Sequence, residues 1–267
     1  MTKVIVAGAA GRMGIRLIAL IKETAALTLA GAVEGKGHHA LGHDAGEVAG
    51  VGKMGVTLTD DLHPLLDRAE VVIDFSAPEA TLRHLRAVAE RRRAMVIGTT
   101  GLNAAELDEL KSLTRQVPCV FSPNMSVGVN LICKVISEMA KTLGDEYDIE
   151  VIEAHHRLKK DAPSGTALKI AEVLARAVNR DLAQVGVYAR KGLIGERKKQ
   201  EIGIQTIRAG DIVGDHTIVF GGMGERIEVT HRASSRDTFA RGALRAANWV
   251  VKQPPGLYDM MDVLNLK

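Results

Sequence analysis

One segment concentrates the acid–base chemistry of this chain: Glu153-Ala154-His155-His156-Arg157-Leu158-Lys159-Lys160-Asp161-Ala162-Pro163-Ser164-Gly165-Thr166. Imidazole exchanges protons near neutral pH, so His155 and His156 are acid–base candidates. Lys159 stands among like charges, which favour loss of its proton. The segment begins as a strand, on which neighbours face opposite ways, so the two histidines serve different surfaces unless the strand has already ended. Pro163 stops any helix from running through. Ser164 or Thr166 is placed to cap the helix that follows, and Gly165 allows a close backbone approach. A basic loop feeding a helix N-terminus offers cationic groups on one side and backbone N–H groups on the other. That pairing suits a small anion, and a dicarboxylate best. The bland alternative is a solvated strand end before a capped helix. The histidine pair lacks the third ligand that a metal site needs.

A second constellation opens the chain. Gly8-Ala9-Ala10-Gly11-Arg12-Met13-Gly14 follows an apolar run and starts a helix, with Ala10 where the stricter fingerprint has glycine. Gly8 permits a tight turn, and Gly11 lets the backbone approach a pyrophosphate held by the positive end of the helix. Glu34 ends the next strand, where a carboxylate accepts bonds from adenosine ribose hydroxyls. The same carboxylate repels a 2′-phosphate, which favours NADH. Lys36, His38 and His39 could offset that repulsion, so NADPH stays open. Gly98-Thr99-Thr100-Gly101 and Ser122-Pro123-Asn124-Met125 end later strands. They are candidates to line the nicotinamide side, with ordinary turn chemistry as the alternative.

These residues need a scaffold, and the pattern supplies one. Strands at Val4–Val6, Leu27–Val33, Val71–Phe75, Met95–Ile97 and Cys119–Phe121 alternate with helices at Arg12–Glu23, Pro78–Arg91 and Leu102–Arg115. That alternation predicts a Rossmann-like, doubly wound parallel sheet, with ligands at the carboxyl strand ends. After a long helix at Val127–Leu143, the chain reads as strand at Ile149–Ala154 and helix at Thr166–Val178. Three strands without helices follow, at Gly203–Arg208, His216–Phe220 and Ile227–His231. They predict a C-terminal α+β domain with a mixed or antiparallel sheet. A closing helix, Arg236–Lys252, returns to the first domain. The expected division is 1–125 with 236–267 for dinucleotide binding, and 126–235 for substrate binding and oligomerisation. The basic run Arg197-Lys198-Lys199 falls outside any periodic pattern and is expected in a mobile surface loop.

Composition narrows the class. The 267 residues carry 35 Lys+Arg against 32 Asp+Glu, and aromatics make up 3%. An excess of +3 does not argue for nucleic acid, and the scarcity of aromatics excludes a base-stacking platform. No apolar run is long enough for a membrane helix. Cys119 and Cys133 sit in apolar contexts and read as buried reduced thiols, which with the lack of a signal peptide points to the cytoplasm.

The ordered strings VAGAAGRMG, GTTG, EAHHRLKKDAPSGTAL, RAGDIVGDHT and THRASSRDTFARGA resemble the 4-hydroxy-tetrahydrodipicolinate reductase (dihydrodipicolinate reductase) family, from residue 3 to about 265. The resemblance implies reduction of 4-hydroxy-tetrahydrodipicolinate to tetrahydrodipicolinate and water by NAD(P)H, in lysine and diaminopimelate biosynthesis. It implies that Gly8, Ala9, Ala10, Gly11, Arg12, Met13 and Glu34 hold the adenine half of the cofactor. Gly98, Thr99, Thr100, Ser122, Pro123, Asn124 and Met125 would flank the nicotinamide. It further implies His155 as proton donor and acceptor, Lys159 as proton donor, His156 as a substrate contact, Gly165 and Thr166 as carboxylate binders, and a homotetramer. Many members carry Arg after the acidic residue; here that position is Gly35, which again favours NADH. The runner-up readings are another two-domain nicotinamide dehydrogenase and a non-catalytic NAD(P)-sensing regulator.

Overall fold

Short runs rich in Val and Ile bury both faces of a sheet only when helices cover them, and the chain places those helices between the runs. The structure is a computed structural model that describes residues 1–267. It divides into two compact units, Met1–Val127 with Asp237–Lys267, and Gly128–Arg236.

In the first unit β1 (Thr2–Ala7) leads through α1 (Arg12–Glu23) to β2 (Leu27–Val33). Next come α2 (Ala45–Val48), the two-residue β3 (Leu58–Thr59) and α3 (His63–Leu66). Then β4 (Val71–Asp74), α4 (Pro78–Glu90), β5 (Ala94–Ile97), α5 (Ala104–Leu113) and β6 (Pro118–Phe121) alternate as expected. All pair in parallel, in the order β6-β5-β4-β1-β2-β3. From β1 the chain builds outward through β2 and β3, then restarts at β4 on the other side of β1. That reversal makes the carboxyl ends of β1 and β4 the natural ligand position. Val4 and Val6 face α1, while Ile5 and Ala7 face the side covered by Leu82 and Leu85 of α4.

The second unit begins within α6 (Val127–Leu143) and continues through β7 (Asp148–His155), α7 (Gly165–Ala177) and α8 (Leu182–Val185). The strands β8 (Gly186–Val187), β9 (Ile202–Arg208), β10 (Gly214–Gly221) and β11 (Arg226–Ala233) complete it. The sheet order is β11-β10-β7-β9-β8. The antiparallel pairing expected of helix-free strands holds where β10 meets β7 and β11. β9 instead lies parallel to β7 and β8, because α7 and α8 carry the chain back before β9 starts. The sheet is mixed. Ile149, Val151 and Glu153 form one inward row of β7; the first two join Ile136, Ile170 and Leu174 in the core.

The run Arg197-Lys198-Lys199 lies in a surface loop with both lysines exposed, but Arg197 itself is tied down. Arg197 donates to Asp148 at 2.6 Å and Glu150 at 3.1 Å, and to the carbonyls of Ile149 and Glu201 at 3.1 and 2.7 Å. Its guanidinium is thereby pinned to the starts of β7 and β9 rather than solvated, because those two carboxylates and two carbonyls meet its fixed fork of donors.

The chain re-enters the first unit as α9 (Asp237–Val250), adds β12 (Gly256–Tyr258) in parallel beside β6, and ends with α10 (Met260–Val263). Ala240, Ala243, Ala246 and Ala247 of α9 are buried against the sheet on the α1 side. Cys119 is buried, Cys133 partly buried, and both are free thiols. No helix is long and apolar enough to cross a membrane.

Candidate active site

In the first unit the site is built from the β1–α1 turn. Gly8 has φ +72°, and a Cβ there would stand 2.8 Å from the Phe75 carbonyl oxygen. Only glycine fits where the loop passes the end of β4. A Cβ on Gly14 would stand 2.1 Å from the Gly8 oxygen, so the first turn of α1 rests directly on the loop. Gly11 is the N-cap and supplies no side-chain cap to the N–H groups of α1, the setting in which a helix start receives an anion. Arg12 is exposed on the first turn, while Ala9 is buried and Met13 packs on the core. Glu34 closes the arrangement: its carboxylate accepts the Ala10 N–H and the Gly35 N–H, both at 2.8 Å. These glycine-only contacts and the carboxylate over the loop fit a dinucleotide, with Gly8 to Met13 and Glu34 the residues that would hold it.

The other strand ends of this unit are more tightly committed than the sequence implies. A Cβ on Gly98 would lie 2.1 Å from the Phe75 ring, so Gly98 makes room for that ring. The Thr99 hydroxyl is buried; it accepts the Ser76 N–H at 3.1 Å and donates to Asp74 at 3.1 Å. Thr100 is exposed. Ser122 donates its hydroxyl to the Asn124 carbonyl at 2.8 Å, Asn124 accepts the Ser126 N–H at 2.9 Å, and Pro123 is exposed. Met125 is core, with its carbonyl so close to α9 that a Cβ on Gly242 would fall 1.7 Å away.

Asp74 organises these loops. It is wholly buried, accepting Ser76 N–H and hydroxyl at 3.0 and 2.6 Å and Thr81 at 3.0 Å, with His84 Nδ1 2.6 Å from its other oxygen. Burial alone would raise its carboxyl; the bond and charge of His84 and the hydroxyls of Ser76 and Thr81 outweigh that and hold it below the usual range.

In the second unit β7 ends at His155, so His156 falls just beyond the strand. Glu153 and His155 are two apart on one strand face, and Glu153 Oε2 lies 2.6 Å from His155 Nδ1. Arg208 of β9 forks onto both Glu153 oxygens at 2.8 Å. The Ser164 N–H donates to Glu153 Oε1 at 3.0 Å, and the Ser164 hydroxyl caps α7 by accepting the Ala167 N–H at 3.1 Å. Gly165 and Thr166 form the first turn of α7. One carboxylate thus ties the end of β7 to the start of α7. It is driven down to about 2, since Arg208, His155 and the Ser164 N–H together outweigh the opposing effect of burial. His216 of β10 stands edge-on to His155, ring centres 5.3 Å apart, and burial followed by the His155 charge lowers its pKa to about 4. His216 is therefore neutral near pH 7 and serves as a wall, not an acid. Lys159 donates to both oxygens of Asp161, at 2.8 and 2.9 Å, so its nearest partner is a carboxylate rather than the like charges expected.

Asp74, Glu153, Arg208 and His216 carried no role in the sequence reading. Only Glu153 had a legible signal, its two-residue spacing from His155 on a strand. Arg208 and His216 arrive by register, opposite His155 and Glu153 respectively.

A glycine loop closed by a carboxylate fits a dinucleotide, and a strand end rich in proton-exchanging groups fits reduction of a small anion. The class so defined is a two-domain, NAD(P)H-dependent oxidoreductase. Comparison with known proteins narrows it. Residues 2–125 match the family described as "Dihydrodipicolinate reductase, N-terminus", and 128–264 match "Dihydrodipicolinate reductase, C-terminus". The chain is 56% identical over its full length, and that of the relative, to the 4-hydroxy-tetrahydrodipicolinate reductase of Syntrophus aciditrophicus (strain SB). It is 57% identical, again over 100% of both chains, to the enzyme so named from Syntrophobacter fumaroxidans (strain DSM 10017 / MPOB). A dipicolinate-bound dihydrodipicolinate reductase from Paenisporosarcina sp. TG-14 shares the fold, with TM-score 0.76, 22% identity and 98% of each chain covered. The chain belongs to the dihydrodipicolinate reductase family. The resemblance read from the sequence holds, and the readings as another dehydrogenase or a cofactor sensor give way to it.

Proposed function

We propose that the chain reduces 4-hydroxy-tetrahydrodipicolinate with NAD(P)H, giving tetrahydrodipicolinate and water for lysine and diaminopimelate synthesis, with His155 and Lys159 handling the proton. The observation that carries this reading is the shared anchoring of His155 and the α7 start by Glu153. It sets an imidazole beside the helix turn of Gly165 and Thr166, whose backbone groups suit a carboxylate. His156, just past the strand end, is placed as a further substrate contact. When bound, the reduced nicotinamide supplies the hydride. Loss of the 4-hydroxyl as water leaves a ring carbon conjugated to an imine. When that carbon gains hydride, the electron pair comes to rest on the substrate and needs a proton, which His155 and Lys159 supply. Their cationic forms also offset the two substrate carboxylates.

Gly98, Thr99, Thr100 and Ser122 to Met125 flank the nicotinamide in this reading, through backbone groups where their side chains are committed. NADH is favoured, since Glu34 already lies on the glycine loop and Gly35 brings no cation. The reading also makes the enzyme a cytoplasmic homotetramer. The free thiols support the first part; the exposed Ile207 and the half-buried Ile152 and Val219, on the sheet face away from α7, support the second. Incubation with NADH and freshly generated substrate tests the whole proposal. Cofactor oxidation should require that substrate, and His155→Ala and Lys159→Ala should each lower kcat by about 10²–10⁴-fold, the scale of general acid catalysis. Undiminished kcat in both variants refutes their roles.

A further inference from the structure

Resting on the role proposed for His155, we infer that Glu153 is a positioning residue that keeps the His155 proton on Nδ1, making Nε2 the nitrogen that exchanges a proton with substrate. Glu153 Oε1 receives the Ser164 N–H at 3.0 Å, Arg208 at 2.8 Å and the Thr206 hydroxyl at 3.3 Å. Oε2 receives the other arm of Arg208 at 2.8 Å and faces His155 Nδ1 at 2.6 Å. A guanidinium and a backbone N–H only donate, so the carboxyl is held as an acceptor on both oxygens. The imidazole nitrogen against it must then carry the hydrogen, and the neutral ring keeps its lone pair on Nε2.

The surroundings agree. Glu153 is wholly buried and the His155 side chain is 12% exposed, so the carboxylate is sealed while one ring edge stays reachable. A Cβ on Gly214 would crowd Nε2 at 3.0 Å, and glycine there leaves that nitrogen approachable. The charged and titratable groups around the ring are Glu153 on its own strand, Arg208 on β9, His216 on β10, and Lys159 with Asp161 in the loop after β7. Arg208 also donates to the Asp161 carbonyl at 2.7 Å, which ties that loop to the same carboxylate.

Glu153→Gln is the informative change. The amide NH2 cannot sit at the Oε1 position, where every neighbour donates. Facing His155 it meets a single other donor, the Arg208 arm on Oε2, which must turn aside, and there it donates to Nδ1 and drives the ring proton to Nε2. Nitrogen-15 spectra of histidine-labelled enzyme at alkaline pH should show Nδ1 protonated in the wild type and Nε2 protonated in Glu153→Gln. The same variant should lose about 10²–10⁴-fold in kcat, as general acid–base catalysis would, with KM for NADH unchanged. Three results overturn the inference: a wild-type ring protonated on Nε2, an unchanged tautomer in the variant, or full kcat in the variant while His155→Ala is impaired. Full kcat in His155→Ala would instead refute the role on which this rests, and the wild-type spectrum would still decide the tautomer. That spectrum also decides it alone if the variant does not fold.

Discussion

In the proposed reading, single residues set both the proton chemistry and the cofactor choice. His155 and Lys159 are both partly buried but face different carboxylates: His155 meets the sealed, ion-paired Glu153, and Lys159 reaches the exposed Asp161. The same reading rests cofactor choice on Glu34 and its successor. The carboxylate spans the N–H groups of Ala10 and Gly35, a fixed negative charge where a ribose 2′-phosphate would add another. A Cβ on Gly35 meets nothing within 4 Å, so a long side chain fits without strain. Gly35→Arg should raise the NADPH-to-NADH ratio of kcat/KM by about tenfold, the worth of one charge-assisted hydrogen bond. Parallel steady-state kinetics with the two cofactors check it, and an unchanged ratio shows that this position does not read the phosphate.

At the scale of elements, the position of α1 depends on one missing methyl. Gly14→Ala would put a carbon 2.1 Å from the Gly8 oxygen, and backbone cannot swing aside as a side chain does. α1 must shift outward, costing about 1–3 kcal/mol as overpacking. The shift also moves the N–H groups proposed to hold the pyrophosphate. A lower thermal midpoint and a raised KM for NADH are expected, and an unchanged KM would separate helix packing from cofactor binding. The glycine loop, the β1–α1–β2 unit and the His155-to-Thr166 segment were all legible in the sequence, because each lies in one continuous stretch whose periodicity or spacing has a physical meaning. β3, α2, α3 and β12 were not, since elements of two to four residues show no period. The parallel pairing of β9 escaped for another reason: strand direction follows from how α7 and α8 return the chain, and pattern alone does not encode it. The Asp74 and Arg208 contacts were hidden similarly, their partners being brought in by sheet register, a neighbouring loop or the packing of α4.

Across the molecule, each unit buries one carboxylate beside a histidine, Asp74 with His84 and Glu153 with His155. Both carboxyls are held below their ordinary values, so each contributes stability that is present at neutral pH and lost as pH falls through the folded-state pKa. For Glu153 that window runs from 4.5 down to about 2. His216 acts earlier. Burial, then the nearby His155 charge, lower it from 6.5 to about 4, so between these values the unfolded chain binds a proton that the folded one refuses. Stability of the second unit should therefore start to fall as pH drops below 6.5, before Glu153 titrates. In urea unfolding followed on the β7 and β10 amide resonances, His216→Gln should flatten this slope by up to about 1.4 kcal/mol per pH unit, the value for one proton. The variant has lost the Ser164 contact and starts less stable, yet the two curves should converge towards pH 4. Parallel curves through that range would mean that His216 takes up its proton without unfolding the sheet around it.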